Sequence, residues 1–403
     1  MNMNKSKVAT AIGVVAIVAL VGCNSSSKDN TNTTKISWTS YGVPHIEADN
    51  YTDLGEGLGY VMAKDRYCNV VSSIATSKGE LSKHLGAGTD NENVNSDFAY
   101  LHLKTYQQAS EGFPQLDSRL QELMQGFATG FNYAIEKNTH FSGDCPVNIN
   151  AIDHVDLYAV NLSINYWSFM SAYIQEVGSA ERPDANTSSQ QLNDVIKFDA
   201  DKSLAELAKG SNGWALGKDM TSTGKGMLLS NTHLPHSGKY TWYEAHLRIP
   251  NKLNVYGGFL PGFLTPALGF NESFSWTHTW TNATTGSIYM LQPSEQSAMH
   301  YQYDDTERAL TESDYQIQVK AQDGTLVEQS RTLYSSHYGP IIDFDVNGNL
   351  LAIKDAPSQK IDKPEFWLKL AHSADVAEAV ALIEQGYRTG SQNIMMADKN
   401  GSI

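Results

Sequence analysis

The chain has 403 residues, 41% of them hydrophobic and 18% charged, with 20 Tyr and 7 Trp. That is long enough for a large core or two domains, and the aromatic content excludes a disordered chain. The net charge of −15 repels phosphate backbones and argues against a nucleic-acid partner; its plain reading is solubility.

Lys5 and Lys7 precede Val8 to Val21, an almost wholly apolar run. At about 14 residues it falls short of the ~20 that span a bilayer, so residues 1–22 read as a secretory signal peptide. The run ends in Leu20-Val21-Gly22-Cys23, which resembles the lipobox of bacterial lipoproteins. There the signal is cut before the Cys and the Cys is lipidated. An ordinary signal with an incidental Cys is the alternative. Gly22 before Cys23 and the polar tail Asn24 to Thr34 favour lipidation, with residues 23–35 as tether. Asn24, where inner-membrane retention typically uses Asp, leans towards outer-membrane sorting. The expectation is an exported, periplasmic protein held to the outer membrane by a lipid anchor. Two Cys remain, Cys68 and Cys145. In an oxidising compartment they suggest one disulfide, and two buried free thiols are the alternative. Without CxxC or a Cys/His cluster, a zinc site is not expected.

Residues 36–181 read as a mostly helical segment. Leu120, Leu123, Met124, Phe127, Phe131 and Ala134 recur at helical spacing. Residues 182–210 read as a linker or propeptide, since 182–194 loses all periodicity. From Ser211 to Ile403 the texture is strand-rich. Gly226 to Leu229 is a short buried run. Tyr243, Ala245, Leu247 and Ile249 alternate with polar residues, as do Phe274, Trp276, His278 and Trp280, the period of half-buried strands. Asp323-Gly324 and Asn347-Gly348 are placed as hairpin turns. Ser373 is placed as the cap of a helix carrying Val376, Val380 and Ile383. Ile394 to Ala397 is a strand and Asn400-Gly401 a turn. A returning strand would stop at Ile403, so the chain is expected to be C-terminally truncated, a fragment or a truncated gene product, with the β segment incomplete.

The usual serine-hydrolase signals are missing. There is no G-x-S-x-G, and Ser222-Thr223-Gly224-Lys225 lacks the companion elements of an S-x-x-K enzyme. His233-Leu234-Pro235-His236 could be a two-His metal site, but the proline breaks helical spacing and no carboxylate follows, so no metal is assigned. A different signal stands at Lys209-Gly210-Ser211-Asn212-Gly213-Trp214-Ala215-Leu216-Gly217, where linker gives way to strands. Alone, Gly-Ser is an ordinary turn. Three further stretches accompany it: Tyr41-Gly42-Val43-Pro44-His45-Ile46-Glu47-Ala48, Gly59-Tyr60 through Asp65-Arg66-Tyr67-Cys68, and Leu268-Gly269-Phe270 through Trp276-Thr277-His278-Thr279. The serine stretch itself extends to Gly226-Met227-Leu228-Leu229-Ser230-Asn231-Thr232-His233-Leu234-Pro235.

In this order and spacing the chain resembles the penicillin acylase family of N-terminal nucleophile hydrolases, and within it the acyl-homoserine lactone and lipopeptide acylase branch. The resemblance implies an α+β fold of four layers, αββα. It implies self-cleavage between Gly210 and Ser211, after which the α and β segments stay associated. Cleavage would leave Ser211 with a free amine, whose pKa of roughly 7.7–8.0 suits it as the base for its own hydroxyl. Gly210 suits the cut because it tolerates strained backbone. By position, His233 would organise the serine and its amine, and the backbone N–H of Trp280 would donate to the oxyanion. The family's second oxyanion donor, an Asn side chain, falls beyond Ile403. The reaction implied is hydrolysis of an N-acyl amide, a small-molecule substrate, without any cofactor. Calcium ligands of the penicillin G branch have no acidic counterpart in Asn282 to Ser287. The rival reading from another class is a non-catalytic surface lipoprotein that keeps the fold as a binding module.

Overall fold

The computed structural model describes residues 34–140, 143–166, 169–180, 210–281, 283–295, 297, 299–344, 349–356, 363–387 and 392–403, with the backbone of 18–19. The expected signal peptide apart from 18–19, Cys23, nearly all of the expected 182–210 linker and the expected Asn347-Gly348 turn lie outside them.

The frame is an eight-stranded sheet. After Val18–Ala19, its strands run Lys35–Trp38, Pro44–Glu47, Tyr243–Ile249, Leu253–Phe259, Leu268–Phe270, Phe274–Trp280 and Gln392–Asp398. All pairings are antiparallel except one: Pro44–Glu47 runs parallel to Tyr243–Ile249, pairing His45 with His246, Ile46 with Leu247 and Glu47 with Arg248. The opening of the 36–181 segment is thus strand rather than helix. Four-residue strands carry too little periodicity to register in a helical texture, but Ile36 and Ile46 are buried and fix their register. These strands insert the N-terminal segment into the C-terminal segment's sheet. Glu47 and Arg248 form an ion pair across the join, and His45 Nδ1 lies 2.8 Å from His246 Nδ1. Burial, then the neighbouring His246, holds the His45 pKa below its ordinary value.

Alternation along Tyr243–Ile249 sets the two faces of the sheet. Tyr243, Ala245, Leu247 and Ile249 are buried with the helices. That layer is built on Tyr51–Lys78 and Ser118–Glu136. The first begins at Asn50, whose side chain accepts from Asp53 N, and ends at Gly79 in the left-handed region, φ 68°. The second buries Leu120, Leu123, Met124, Phe127, Phe131 and Ala134 as its spacing predicts. The two meet backbone to backbone. A Cβ on Gly59 would lie 2.0 Å from Phe127 O, and one on Gly126 would lie 1.9 Å from Thr52 O. Cys68 and Cys145 are bonded within this layer, with Cα atoms 5.4 Å apart.

The other face carries the hairpin of Gly210–Leu216 and Met227–His233. Ser230 Oγ and Thr277 Oγ1 are 2.6 Å apart between the two layers. Thr277 alternates with Trp276 and His278, as expected, yet is fully buried because the hairpin lies over it. Helices, sheet and hairpin give three layers. The hairpin's outer face shows Trp214, Leu216, Met227 and Leu229, each 39–56% exposed. Among the described residues no helix is long and apolar enough to cross a membrane.

Asp323-Gly324 does turn a hairpin, between Thr311–Lys320 and Leu326–Ser335, with Gly324 at φ 86°. Ser373 does not cap the following helix. Its Oγ donates to Lys369 O, and Asp375 caps Val376–Glu384 by accepting from Glu378 N at 2.9 Å. The carboxylate stands one residue before the first helical turn, the position from which it reaches that N–H.

His278 supplies an acid-sensitive joint. It is buried, its Nδ1 lies 3.1 Å from Ala267 O, and burial pushes its pKa down to about 4. The unfolded chain binds a proton here near pH 6.5 and the folded chain does not until about pH 4. This contribution is therefore complete above pH 6.5 and lost as pH falls to 4, on the order of 3 kcal/mol. Urea unfolding of His278→Gln at pH 7 and pH 4.5 should show less acid destabilisation than wild type; an equal loss in both proteins would refute the assignment.

Candidate active site

Ser211 stands at the open end of the hairpin. The register pairs Gly210 with His233, Ser211 with Thr232 and Asn212 with Asn231. Side chains alternate on a strand, so Ser211 faces the main sheet with Gly213 and Ala215. Asn212, Asn231 and His233 share the outer face. Ser211 Oγ donates to the carbonyl of Gly210 at 2.5 Å, which places the hydroxyl against the bond assigned for cleavage.

His233 lies on the Gly210 side of that bond. A Cβ on Gly210 would come 3.4 Å from His233 Nδ1. Its other nitrogen, Nε2, receives Asn212 Nδ2 at 3.1 Å and Asn231 Nδ2 at 3.3 Å. The structure therefore brings Gly210, Ser211 and His233 together at one strand end. His236 is exposed, and no group of three metal-binding side chains occurs among the described residues.

Trp280 ends the strand beneath the hairpin. The hairpin's direction over the sheet follows from two contacts. Ser230 meets Thr277, and Gly226 N donates to Asp398 O, which pairs opposite Phe274. The Ser211 end therefore points toward the Trp280 end. Asn393 Nδ2 donates to the Trp280 carbonyl and to Thr279 Oγ1, each at 3.3 Å, and holds the strand terminus. Cys68 and Cys145 lie apart from this end, in the helical layer.

Beside the hairpin lies a cavity of about 860 Å³, lined by both sheet layers and by residues 41–44 and 64–66 of the N-terminal segment. Thr232, the cross-strand partner of Ser211, is in its wall with Leu228, Trp242, Tyr256, Phe270 and Trp276. Leu234, next to His233, is half-buried and not in this wall; Leu228 is. Sequence reasoning also passed over Asn212 and Asn231. Their signal was two-residue spacing from Gly210 and from His233, legible once the hairpin register is known.

A serine placed against a Gly-Ser carbonyl, with an imidazole beside Gly210 on the other face of the same strand end and a cavity nearby, is an arrangement that can support acyl transfer. Comparison with known proteins sets the class first: the chain is related to amidases. The sequence model of the family described as penicillin amidase matches residues 33–403, and the chain belongs to the penicillin amidase family. It is 30% identical over 321 residues to acyl-homoserine lactone acylase PvdQ of Pseudomonas syringae pv. tomato, covering 77% of this chain and 42% of that protein. The PvdQ of Pseudomonas fluorescens (strain Pf0-1) is 32% identical over 315 residues, covering 76% and 40%. Aculeacin-A acylase of Actinoplanes utahensis is 27% identical over 424 residues, covering 99% and 53%. The chain thus spans about half or less of the length of these relatives. Among solved structures, thermostable penicillin G acylase from Alcaligenes faecalis in orthorhombic form matches with TM-score 0.40 and 21% identity, over 47% of this chain and 33% of that one.

Proposed function

We propose that this chain is part of a precursor that cuts itself between Gly210 and Ser211 and then hydrolyses N-acyl amides through an acyl-enzyme on Ser211. The observation that carries this reading is the 2.5 Å hydrogen bond from Ser211 Oγ to the Gly210 carbonyl. Attack by Oγ on that carbonyl carbon forms an ester as the C–N bond breaks. The serine's proton ends on its own nitrogen, and water then hydrolyses the ester. Gly210 leaves as a carboxylate and Ser211 gains a free amine. In the same position that amine serves as base when Ser211 attacks a substrate amide. His233 organises the amine from the Gly210 side, and Trp280 N–H donates to the oxyanion. After the cut, the strand pairing of residues 44–47 with 243–249 keeps the α and β segments together. A fourth, helical layer over Trp214, Leu216, Met227 and Leu229 completes the αββα arrangement.

The substrate proposed is an aliphatic N-acyl compound such as an acyl-homoserine lactone, as the names of the PvdQ relatives support. The cavity wall is mixed, with Lys64, Asp65, Arg66 and Glu244 among its residues; its apolar part at Leu228, Trp242, Phe270 and Trp276 fits an alkyl chain, and each buried CH₂ is worth ~0.8 kcal/mol. Across an acyl series measured on the full-length protein, kcat/KM should climb roughly threefold to fourfold per methylene until the pocket fills. A flat aliphatic series with clear preference for phenylacetyl amides would overturn the substrate and leave the nucleophile in place.

The proposed location is the periplasm, with a lipid on Cys23 anchoring the protein to the outer membrane. The apolar run and Leu20-Val21-Gly22-Cys23 support it. Cys23→Ser should move the protein from the membrane to the soluble periplasmic fraction; unchanged partitioning would exclude the anchor.

A further inference from the structure

The two asparagines on His233 have no part in the chemistry described so far. Asn212 and Asn231 sit directly opposite each other on the hairpin. Both turn an amide N–H toward one atom, His233 Nε2, at 3.1 and 3.3 Å. An amide nitrogen only donates, so Nε2 must present its lone pair. A neutral imidazole then carries its proton on Nδ1, the nitrogen alongside Gly210. The hairpin register makes this arrangement. Asn212 is two residues after Gly210, Asn231 is two residues before His233, and all four share one ribbon face.

We propose that Asn212 and Asn231 are positioning residues that lock His233 in the Nδ1–H tautomer, holding that N–H against the Gly210–Ser211 peptide. The inference rests on the self-cleavage reading above and assigns the tautomer its purpose. When the Gly210–Ser211 bond breaks, the departing Ser211 nitrogen must gain a proton. That proton is the one from Ser211 Oγ, and Nδ1–H donates a hydrogen bond to the nitrogen's developing lone pair from the side where Gly210 leaves; the imidazole stays neutral, so the step neither gains nor loses a proton. In the other tautomer Nδ1 would present a lone pair to that nitrogen and could give it nothing.

Substitution at Asn212 separates this role from packing. Asn212→Ala removes one donor and leaves the tautomer to Asn231 alone. Asn212→Asp keeps the shape but only accepts, so it draws a proton onto Nε2. In the full-length precursor, the clamp predicts cleavage rates in the order wild type, Asn212→Ala, Asn212→Asp. The Ala variant should be slower than wild type by roughly fivefold, the worth of one hydrogen bond. A merely structural asparagine gives the opposite order for the two variants, because Asp fills the same space. Neutron diffraction from crystals of the uncleavable Ser211→Ala precursor reads the tautomer independently of any cleavage. Hydrogen on Nδ1 and none on Nε2 is expected. Hydrogen on Nε2 alone, or an Asp variant that cuts faster than the Ala variant, would overturn the inference. If wild type never cuts, the self-cleavage reading fails, while the neutron map still decides whether the clamp exists.

Discussion

Ser211→Ala should leave the full-length chain uncut and without amidase activity, while its fold stays intact. The hydroxyl at 2.5 Å from the Gly210 carbonyl oxygen is assigned both jobs, so one substitution removes both. Loss of a catalytic serine in well-studied hydrolases costs on the order of 10⁶ in kcat, and the residual rate comes from the oxyanion site and binding alone. The substitution deletes one partly buried oxygen that bonds only within its own strand. Stability should therefore move by no more than about 1 kcal/mol. Gel analysis and kcat on matched preparations check it. An Ser211→Ala protein that still cuts at this bond would remove the serine from the mechanism.

The largest effect on stability is expected at the helix seam. A Cβ on Gly126 would lie 1.9 Å from Thr52 O and 3.0 Å from Glu56 N. Both are backbone atoms of the facing helix, so no rotamer change can make room. Gly59 meets Phe127 O in the same way at 2.0 Å. Overpacking a core costs typically about 1–3 kcal/mol, occasionally more, and a backbone clash belongs at the upper end. Alanine's better helix propensity offsets at most ~1 kcal/mol. Gly126→Ala should thus lower stability by about 2–3 kcal/mol in urea unfolding, with the neighbouring exposed Gln125→Ala close to neutral as the control. Equal stabilities would mean that the helices can part at no cost. The seam carries the sheet that positions the hairpin, so Gly126→Ala should also slow cleavage while leaving its site unchanged.

The parts of this fold legible in the sequence were those with a clear period over seven or more residues. The helix 118–136 and the strand 243–249 bury the residues their patterns pick out. Asp323-Gly324 was legible because a short turn between two long strands has a local chemical signature. The strands 35–38 and 44–47 were not, since four residues hold too few alternations. The glycine seam was invisible for a different reason. Gly55, Gly59, Gly126 and Gly130 lie four residues apart within each pair, but only packing shows that their backbones touch. The Ser373 assignment failed through competition, because the preceding helix claims that hydroxyl and Asp375 is better placed. At the candidate site, Ser211 and His233 came from the resemblance, and their common strand end from the structure. Asn212 and Asn231 needed the hairpin register, which no local pattern supplied.

The measurement that bears most directly on the central claim is the intact mass of the purified full-length protein, read together with its amidase activity. Two pieces are expected, separated between Gly210 and Ser211, with serine as the first residue of the larger-numbered piece and activity present only after the cut. An uncut wild-type chain that hydrolyses N-acyl amides would contradict the account.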